Sequence, residues 1–429
     1  FYINDYYLTD KLIAAGKVSD LVAPLILVCK FRRGDLVVWE DMMQALIKAI
    51  KAAPNDWIAA HVYTKWRFYV EFHFPESDTD VKLIRRIEER VKEDENLEYF
   101  KSYLLRFDAI KCMFNLNIEE ETELLEQALT IARKYDEQVA IADLISAISE
   151  TLSDEKRRME LLRASTELSE RLGYRYKIGQ NQFRLGNSIG QRGEFNSAVE
   201  NILACIRVRE SLNLPVITQN GYLAAYYNAM GDGVNALKLT EAALEAIQDS
   251  RRLTSYMLAM KAWAQVNLGR YDEARYYLEF SRELAVKSGV AWYWFIWNQL
   301  VEGILSKEEG SFDGGIAALE DVLQYSDVDA VPILQAICLL NLTEIEIERA
   351  SLDSVGDSSG HWMEKLEEFV ETMNAPGWEA RLLLLKAKLC QKLGRFDEAR
   401  GILRRVRKIS EAPSVKYLNS LIAPLSVER

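Results

Sequence analysis

Residues 269–274 read Gly-Arg-Tyr-Asp-Glu-Ala, and two other stretches repeat this pattern: 193–198 as Gly-Glu-Phe-Asn-Ser-Ala and 394–399 as Gly-Arg-Phe-Asp-Glu-Ala. Weaker copies begin at Gly231 and Gly310. The five glycines lie 38, 38, 41 and 84 residues apart, and 84 is two steps of 42. A recurring spacing of about 40 residues indicates a repeat architecture in which each repeat is one supersecondary unit.

The residue types in this pattern predict a tight turn between two packed helices. Glycine ends the first helix, where a left-handed backbone is needed and a Cβ is unfavourable. We expect the aromatic residue two places later to plug the gap between the helices, and the alanine after it to let them approach closely. Gly186 and Gly303 provide the matching small contacts on the first helix. Leu278, Leu319 and Leu403 follow the motif glycines at helical spacing.

Steps of about 40 residues in both directions predict ten helix pairs, with turns near 34, 75, 115, 153, 193, 231, 269, 310, 352 and 394. No proline occurs between Pro75 and Pro215, which suits long helices. We therefore predict an all-α solenoid, a right-handed superhelix of about ten helix pairs over residues 17–411. Residues 1–16 are expected to form a lead-in, with the tail of an upstream domain as one interpretation, and 412–429 a capping helix.

Composition argues against several classes of function. The net charge of −12, from 53 basic and 65 acidic residues, repels phosphate backbones, so we expect no direct nucleic-acid binding. The longest nearly apolar run, 21–29, is far shorter than the roughly 20 residues of a membrane span. The three histidines and five cysteines lack metal-ligand spacing, and no catalytic constellation is readable. We expect no enzyme activity, no cofactor, no metal and no membrane contact, and the dispersed cysteines favour a reducing, cytoplasmic compartment.

The motif resembles the tetratricopeptide repeat, in which Leu-Gly is followed by Gly-x-Tyr/Phe-x-x-Ala and then by an aliphatic residue and an alanine. Residues 180–206, 218–244 and 256–282 match it best. The units exceed the common repeat of about 34 residues. Long units that end as 281–285 does look like the solenoid sensor regions of signal-transduction (STAND) ATPases, typified by the bacterial maltose-regulon activator. This resemblance implies a segment that binds an inducer or a partner protein.

In tetratricopeptide proteins the first helix of each pair lines the concave groove, so the resemblance implies a set of groove positions. The predicted ligand-binding residues are Gln180, Phe183, Asn187, Asn228, Tyr256, Trp263, Asn267 and Trp297, with Gln191 and Lys307 as further positions. Amides both donate and accept hydrogen bonds, which suits a peptide, a partner protein or a small inducer. Because Asn228 and Trp263 are not motif packing positions, we expect their replacement by alanine to weaken binding without unfolding the chain.

Three functions stay open at this point. The leading hypothesis is a non-catalytic binding segment of a larger regulatory protein, acting in signal transduction or transcription regulation. The first alternative is a self-assembly scaffold, a homo-oligomer held by two aromatic clusters, one from Trp57 to Phe74 and one from Tyr276 to Trp297. The second alternative is a peptide-pheromone receptor, which also uses long helix pairs. The size of the segment in solution, with and without candidate ligands, separates the first two.

Overall fold

A computed structural model shows an all-α chain of packed helix pairs. It describes residues 39–53, 55, 58–60, 63, 81–114, 117–152, 154–212, 214–247, 251–287, 292–325, 331–349 and 360–425. Helices account for 87% of these residues, and no strand occurs among them. The predicted all-α solenoid is therefore confirmed. The described residues do not include the turns predicted near 34, 75 and 352, the lead-in 1–16 or most of the aromatic cluster 57–74.

Two helices, α1 (Trp39–Lys51) and α2 (Val81–Glu93), come before a regular series of pairs. In each pair, the helix before the turn is called the first helix and the helix after it the second helix. The pairs are α3 (Glu98–Phe114) with α4 (Ile118–Lys134), α5 (Gln138–Thr151) with α6 (Glu155–Arg171), α7 (Arg175–Gln191) with α8 (Phe195–Ser211), α9 (Ile217–Ala229) with α10 (Gly233–Ala246), α11 (Arg251–Asn267) with α12 (Tyr271–Lys287), α13 (Trp292–Glu308) with α14 (Phe312–Gln324), α15 (Pro332–Arg349) with α16 (His361–Met373), and α17 (Pro376–Lys392) with α18 (Phe396–Ser410). A short helix, α19 (Leu418–Leu425), follows the last pair.

The turns between first and second helices lie where the repeat predicts them. The motif glycines have positive φ angles of 72°, 81°, 69°, 80° and 73° at Gly193, Gly231, Gly269, Gly310 and Gly394. This is the left-handed backbone that glycine adopts without steric penalty. Second helices end in the same way at Asp136, Gly173 and Asn374, three positions that the repeat analysis did not single out.

Small residues bring the helices of a pair close together. A Cβ added to Gly186 would lie 2.9 Å from the carbonyl oxygen of Ala198, so the predicted contact between α7 and α8 is confirmed. Ala274 and Leu278 are likewise buried on α12. First helices also pack side by side, α9 against α11, α11 against α13, α13 against α15 and α15 against α17. These contacts build a continuous layer of first helices.

The aromatic residue of the motif is not buried between the two helices in every pair. Phe195 is buried, as expected, but Phe396 is 47% exposed and Tyr271 is half-buried. The expectation is therefore wrong for Phe396. The physical reason is its place in the stack: among the described residues no further helix pair covers α18, whereas Phe195 is covered by Tyr226, Trp378 and Tyr417.

Clustering of contacts divides the chain into two compact units. The first unit holds residues up to 184 together with 205–215, and the second holds 185–204 together with 216 onward. The boundaries predicted at residues 17 and 411 stay predictions, although α19 lies inside the segment expected to cap the stack. No helix among the described residues is both long and apolar enough to cross a membrane.

Within the second unit, residues far apart in sequence meet in a contact that we call the closure. The Trp378 Nε1 donates a hydrogen bond of 2.8 Å to the carbonyl oxygen of Gln191. The Tyr417 hydroxyl donates to the carbonyl oxygen of Gly193 at 3.1 Å. Gly377 allows this approach, because a Cβ there would lie 2.4 Å from the same Gly193 oxygen. Contacts within the second unit therefore also join repeats that are not neighbours along the chain.

Candidate ligand-binding surface of the first helices

Polar side chains link successive first helices in both units. In the first unit, Arg106 of α3, Asp143 of α5 and Lys177 of α7 form a charge cluster. The Asp143 carboxylate accepts from Lys177 Nζ at 2.6 Å and from Arg106 Nη1 at 3.0 Å. Lys177 Nζ also donates to the Oε1 atom of Gln180 at 2.8 Å. The predicted site residue Gln180 therefore takes part in a buried ionic network.

The charges of this first-unit cluster hold each other in place. Burial raises the pKa of Asp143, but Lys177 and Arg106 outweigh burial and lower this pKa to about 2. Burial lowers the pKa of Lys177 to about 8, against the attraction of Asp143 and with repulsion from Arg184. Both partners are charged near neutral pH. Removal of one partner from a buried pair typically destabilises a fold by about 3–5 kcal/mol.

The predicted asparagines take part in hydrogen bonds between first helices of the second unit. The Asn228 amide on α9 donates to the carbonyl oxygen of Met260 at 2.9 Å. The Asn267 amide on α11 donates to Asn228 Oδ1 at 3.2 Å. Asn187 Oδ1 accepts instead from the hydroxyl of Tyr226 at 2.9 Å. The structure thus brings together Asn228 and Asn267, and these amides connect neighbouring repeats.

Three predicted aromatic residues pack together between α11 and α13. The ring of Trp297 lies 5.9 Å from Tyr256 and 6.4 Å from Trp263, centroid to centroid. All three residues are 3% exposed, and the Nε1 atom of Trp297 is buried without a hydrogen-bond partner. Phe183 is half-buried on α7. The side chains of 292–295, from the same predicted cluster, lie outside the described set.

Burial corrects one expectation about this group. Asn228 is 2% exposed and Trp263 is 3% exposed, so both are packing residues between first helices. Their replacement by alanine would remove the side-chain hydrogen bond to the Met260 carbonyl oxygen and open a cavity, so the burial of both residues argues against the expectation that the fold tolerates the change. The sequence motif describes contacts inside a pair and carries no information on contacts between pairs. Whether the eight residues bind a ligand stays a prediction.

A second set of charges crosses α13, α15 and α17, and we call it the charge ladder. The Glu344 carboxylate accepts from Lys307 Nζ at 2.5 Å and from Lys388 Nζ at 2.9 Å. Lys388 also pairs with Glu348 at 2.6 Å. Lys307 is largely buried, whereas 30% of the Glu344 side chain and 33% of the Lys388 side chain are exposed. The ladder therefore offers charges that a ligand can reach.

The two lysines determine the charge state of the ladder. Burial raises the pKa of Glu344, but Lys307 and then Lys388 outweigh it and lower this pKa to about 2. Burial lowers the pKa of Lys307 while Glu344 raises it, and the net direction is upward. All three groups are charged near neutral pH. The ladder can pair with ionic or hydrogen-bonding groups of a ligand.

Glu344, Lys388 and the first-unit cluster were missed by the sequence analysis, which named only Lys307 and Gln180 nearby. A usable signal exists, since Arg106 and Asp143 are 37 residues apart and so are Lys307 and Glu344. Opposite charges one repeat apart therefore indicate pairing between successive first helices. Among the residues that the structure describes, no group of three or more His, Cys, Asp or Glu is placed to hold a metal ion.

Comparisons with known proteins find similar solved structures but no similar sequence. No family model matches the chain, and no curated protein sequence matches it. The apo quorum sensor NprR from B. thuringiensis is 13% identical, with 91% of this chain and 97% of that chain covered and a TM-score of 0.42. A Rap protein complexed with Competence and Sporulation Factor is 11% identical, with 95% and 99% covered and a TM-score of 0.41. A STAND protein with a tetratricopeptide repeat sensor from Pyrococcus horikoshii is 13% identical, with 90% and 54% covered and a TM-score of 0.37.

Proposed function

We propose that this chain is a non-catalytic, cytoplasmic binding segment of a larger regulatory protein. Its ligand is a peptide or an extended protein segment, which lies across the first helices of the second unit. The observation that carries this proposal is the charge ladder, in which Lys307, Glu344 and Lys388 occupy three successive first helices and two of them are partly exposed. An elongated ligand that lies across these three helices can contact the ladder together with polar groups of the neighbouring first helices.

The width of the three helices that carry the ladder fits a short extended peptide. Packed helices lie about 8–10 Å apart, so three first helices span roughly 16–20 Å. An extended chain rises about 3.3 Å per residue, so about five or six residues cross this distance. A peptide of this length presents backbone amides and alternating side chains to the ladder. The half-buried amides of Asn187 and Asn267 are further hydrogen-bonding groups that we assign to ligand contact.

The local charge favours a peptide with at least one basic residue. Within the ion pairs of the ladder, the carboxylates of Glu308, Glu344 and Glu348 outnumber the ammonium groups of Lys307 and Lys388. A third ammonium group, that of Lys392, donates instead to the carbonyl oxygens of Ile347 and Glu348. The chain as a whole carries a net charge of −12. Exposed ion pairs such as Lys388 with Glu348 contribute only about 0–1 kcal/mol. A basic side chain of the ligand can therefore replace Lys388 at Glu348 with little penalty.

The buried residues of the predicted site have a different task in this proposal. Asn228 and the trio Tyr256, Trp263 and Trp297 hold α9, α11 and α13 at fixed spacing. A rigid layer of first helices reduces the entropy lost on binding, because the contacting groups are already in position. We therefore assign these four residues to positioning rather than to direct contact.

The proposal is tested by selecting ligands from a phage-displayed library of random peptides on the immobilised chain. The enriched peptide is synthesised with a fluorescent label, and its affinity is measured by fluorescence anisotropy. We expect the double variant Glu344→Gln with Glu348→Gln to bind at least about tenfold more weakly, which corresponds to about 1.4 kcal/mol. Glu367→Gln is the matched control, because Glu367 also pairs with a lysine of α17, Lys386, but lies on a second helix.

The control variant should bind within about twofold of the unchanged chain, since a factor of two is only about 0.4 kcal/mol. Circular dichroism on all variants separates lost binding from lost fold. If no peptide is enriched on the immobilised chain beyond the level found on a surface without protein, the result counts against the proposal. Equal affinity in the ladder variant and the control, with helicity retained, would also count against it.

A further inference from the structure

The outward face of α12 carries aromatic and acidic side chains in one stripe. Tyr276 is 64% exposed and Phe280 is 42% exposed. Asp272, Glu279 and Glu283 are exposed beside them. Residues three, four, seven, eight and eleven places apart share one face of a helix. These five residues, the acidic stripe, therefore form a continuous surface across 272–283.

The outward face of α18 carries a stripe of the opposite charge. Phe396 begins it, and Arg400, Arg404 and Arg407 continue at positions that share the same helical face. All four are exposed, and Arg400 pairs with the exposed carboxylate of Asp397. We call these four residues the basic stripe. Three arginines on one face are a marked local excess in a chain whose net charge is −12.

The two stripes are complementary in length, charge and chemistry. Each covers 12 residues, 272–283 and 396–407, which is about 18 Å of helix. When the two helices are laid antiparallel, Asp272 lies opposite Arg407 and Glu279 lies opposite Arg400. In the same register Tyr276 lies opposite Arg404 and Glu283 lies opposite Phe396. Guanidinium groups also stack on the faces of tyrosine and phenylalanine rings. Charge complementarity of this kind orients partners and excludes surfaces of like charge.

We propose that the acidic stripe of one copy of this chain binds the basic stripe of a second copy. Both stripes belong to the second unit and both are exposed in the single chain, so each copy keeps one stripe unused after the first contact. Unlike surfaces that pair in this way give a head-to-tail interface, which closes into a ring or grows as a filament. The stripes lie on second helices, so the assembly is independent of the charge ladder and of the peptide proposed for it.

The test measures molar mass in solution by light scattering over increasing concentrations of the full chain. We expect a mass that rises beyond the monomer and falls back when the salt concentration increases from about 0.05 M to about 0.5 M, because salt screens exposed charges. Arg400→Glu with Arg404→Glu reverses the basic stripe. Tyr276→Lys with Glu279→Lys reverses the acidic stripe. Each double variant alone should stay monomeric.

The decisive sample is the equimolar mixture of the two double variants. Each variant retains one intact stripe, and the two reversed stripes are also opposite in charge, so the mixture should associate although neither variant does so alone. Arg163→Glu with Lys238→Glu is the matched control, since it makes a similar charge change at exposed positions on other second helices and should assemble normally. The proposal is overturned if the unchanged chain stays monomeric at low salt. It is also overturned if either double variant still assembles by itself, or if the mixture of the two stays monomeric. Binding of the unassembled chain to vesicles of phosphatidylcholine and phosphatidylserine, lost in Arg400→Glu with Arg404→Glu, would assign the basic stripe to a membrane instead.

Discussion

Replacement of Trp378 by alanine tests the closure of the second unit most directly. The Trp378 side chain is buried, its ring lies 5.6 Å from that of Phe195, and its Nε1 donates to Gln191. Large-to-small changes at buried tryptophans destabilise proteins by about 3–5 kcal/mol. The lost hydrogen bond leaves the Gln191 oxygen without this donor and accounts for about 1 kcal/mol of that range. We expect a loss of about 4 kcal/mol, measured by urea unfolding.

The backbone amides that lose protection from hydrogen exchange in Trp378→Ala distinguish the closure from a stack in which each repeat contacts only its neighbours. In a stack with neighbour contacts only, the damage spreads from α17 to adjacent helices. With the closure, amides in 186–198 also exchange faster, although they lie more than 180 residues away in sequence. Hydrogen–deuterium exchange with mass spectrometry measures both regions. Gly377→Ala should show the same pattern, because the added methyl group meets the Gly193 oxygen.

Trp263→Ala is the matched control for this experiment. Trp263 is also a buried tryptophan, but its ring packs on Trp297, which is 34 residues away in sequence. We expect faster exchange in α11 and α13 and wild-type exchange in 376–392. If Trp378→Ala exposes α17 while 186–198 keeps wild-type exchange, the closure does not hold the second unit together in solution.

Three further predictions concern packing and charge. Ala274→Phe should wedge α11 from α12 and lower stability by about 1–3 kcal/mol; an unchanged thermal melting curve by circular dichroism would mean that the motif is misaligned at this position. Asn228→Ala should cost about 1–3 kcal/mol in urea unfolding, because the Met260 oxygen loses its side-chain donor and the Asn267 amide loses the Asn228 Oδ1 acceptor. A change within error would contradict the amide link between α9 and α11. Glu344 has a folded pKa of about 2 against an ordinary value of 4.5, so the unfolded chain binds the proton first as pH falls. Its stabilisation, on the order of 2 kcal/mol, is complete above pH 4.5 and lost between pH 4.5 and 2, and Glu344→Gln should show a smaller loss of stability over that window than the unchanged chain.

The repeat and its turns could be predicted from the sequence because they depend on local conditions. A left-handed residue between two helices requires glycine at positions such as Gly269, and close approach of the helices requires a small residue such as Ala274. Both conditions involve residues within one pair, so their spacing is visible along the chain. The all-α fold and the turns near 115, 153, 193, 231, 269, 310 and 394 followed from that spacing. Phe396 departs from the pattern because its burial depends on a covering repeat.

The candidate site was only partly predictable, because it depends on contacts between repeats. The resemblance placed Asn228, Trp263 and Lys307 on first helices, but it could not show that the first two are buried by neighbouring helices. Burial depends on how closely successive pairs pack, and this distance is a property of the whole stack. Glu344 and Lys388 became a ladder with Lys307 only when three helices were brought side by side. The closure at Trp378 depends on the path of the chain through the whole second unit, since no local pattern relates residues so far apart in sequence.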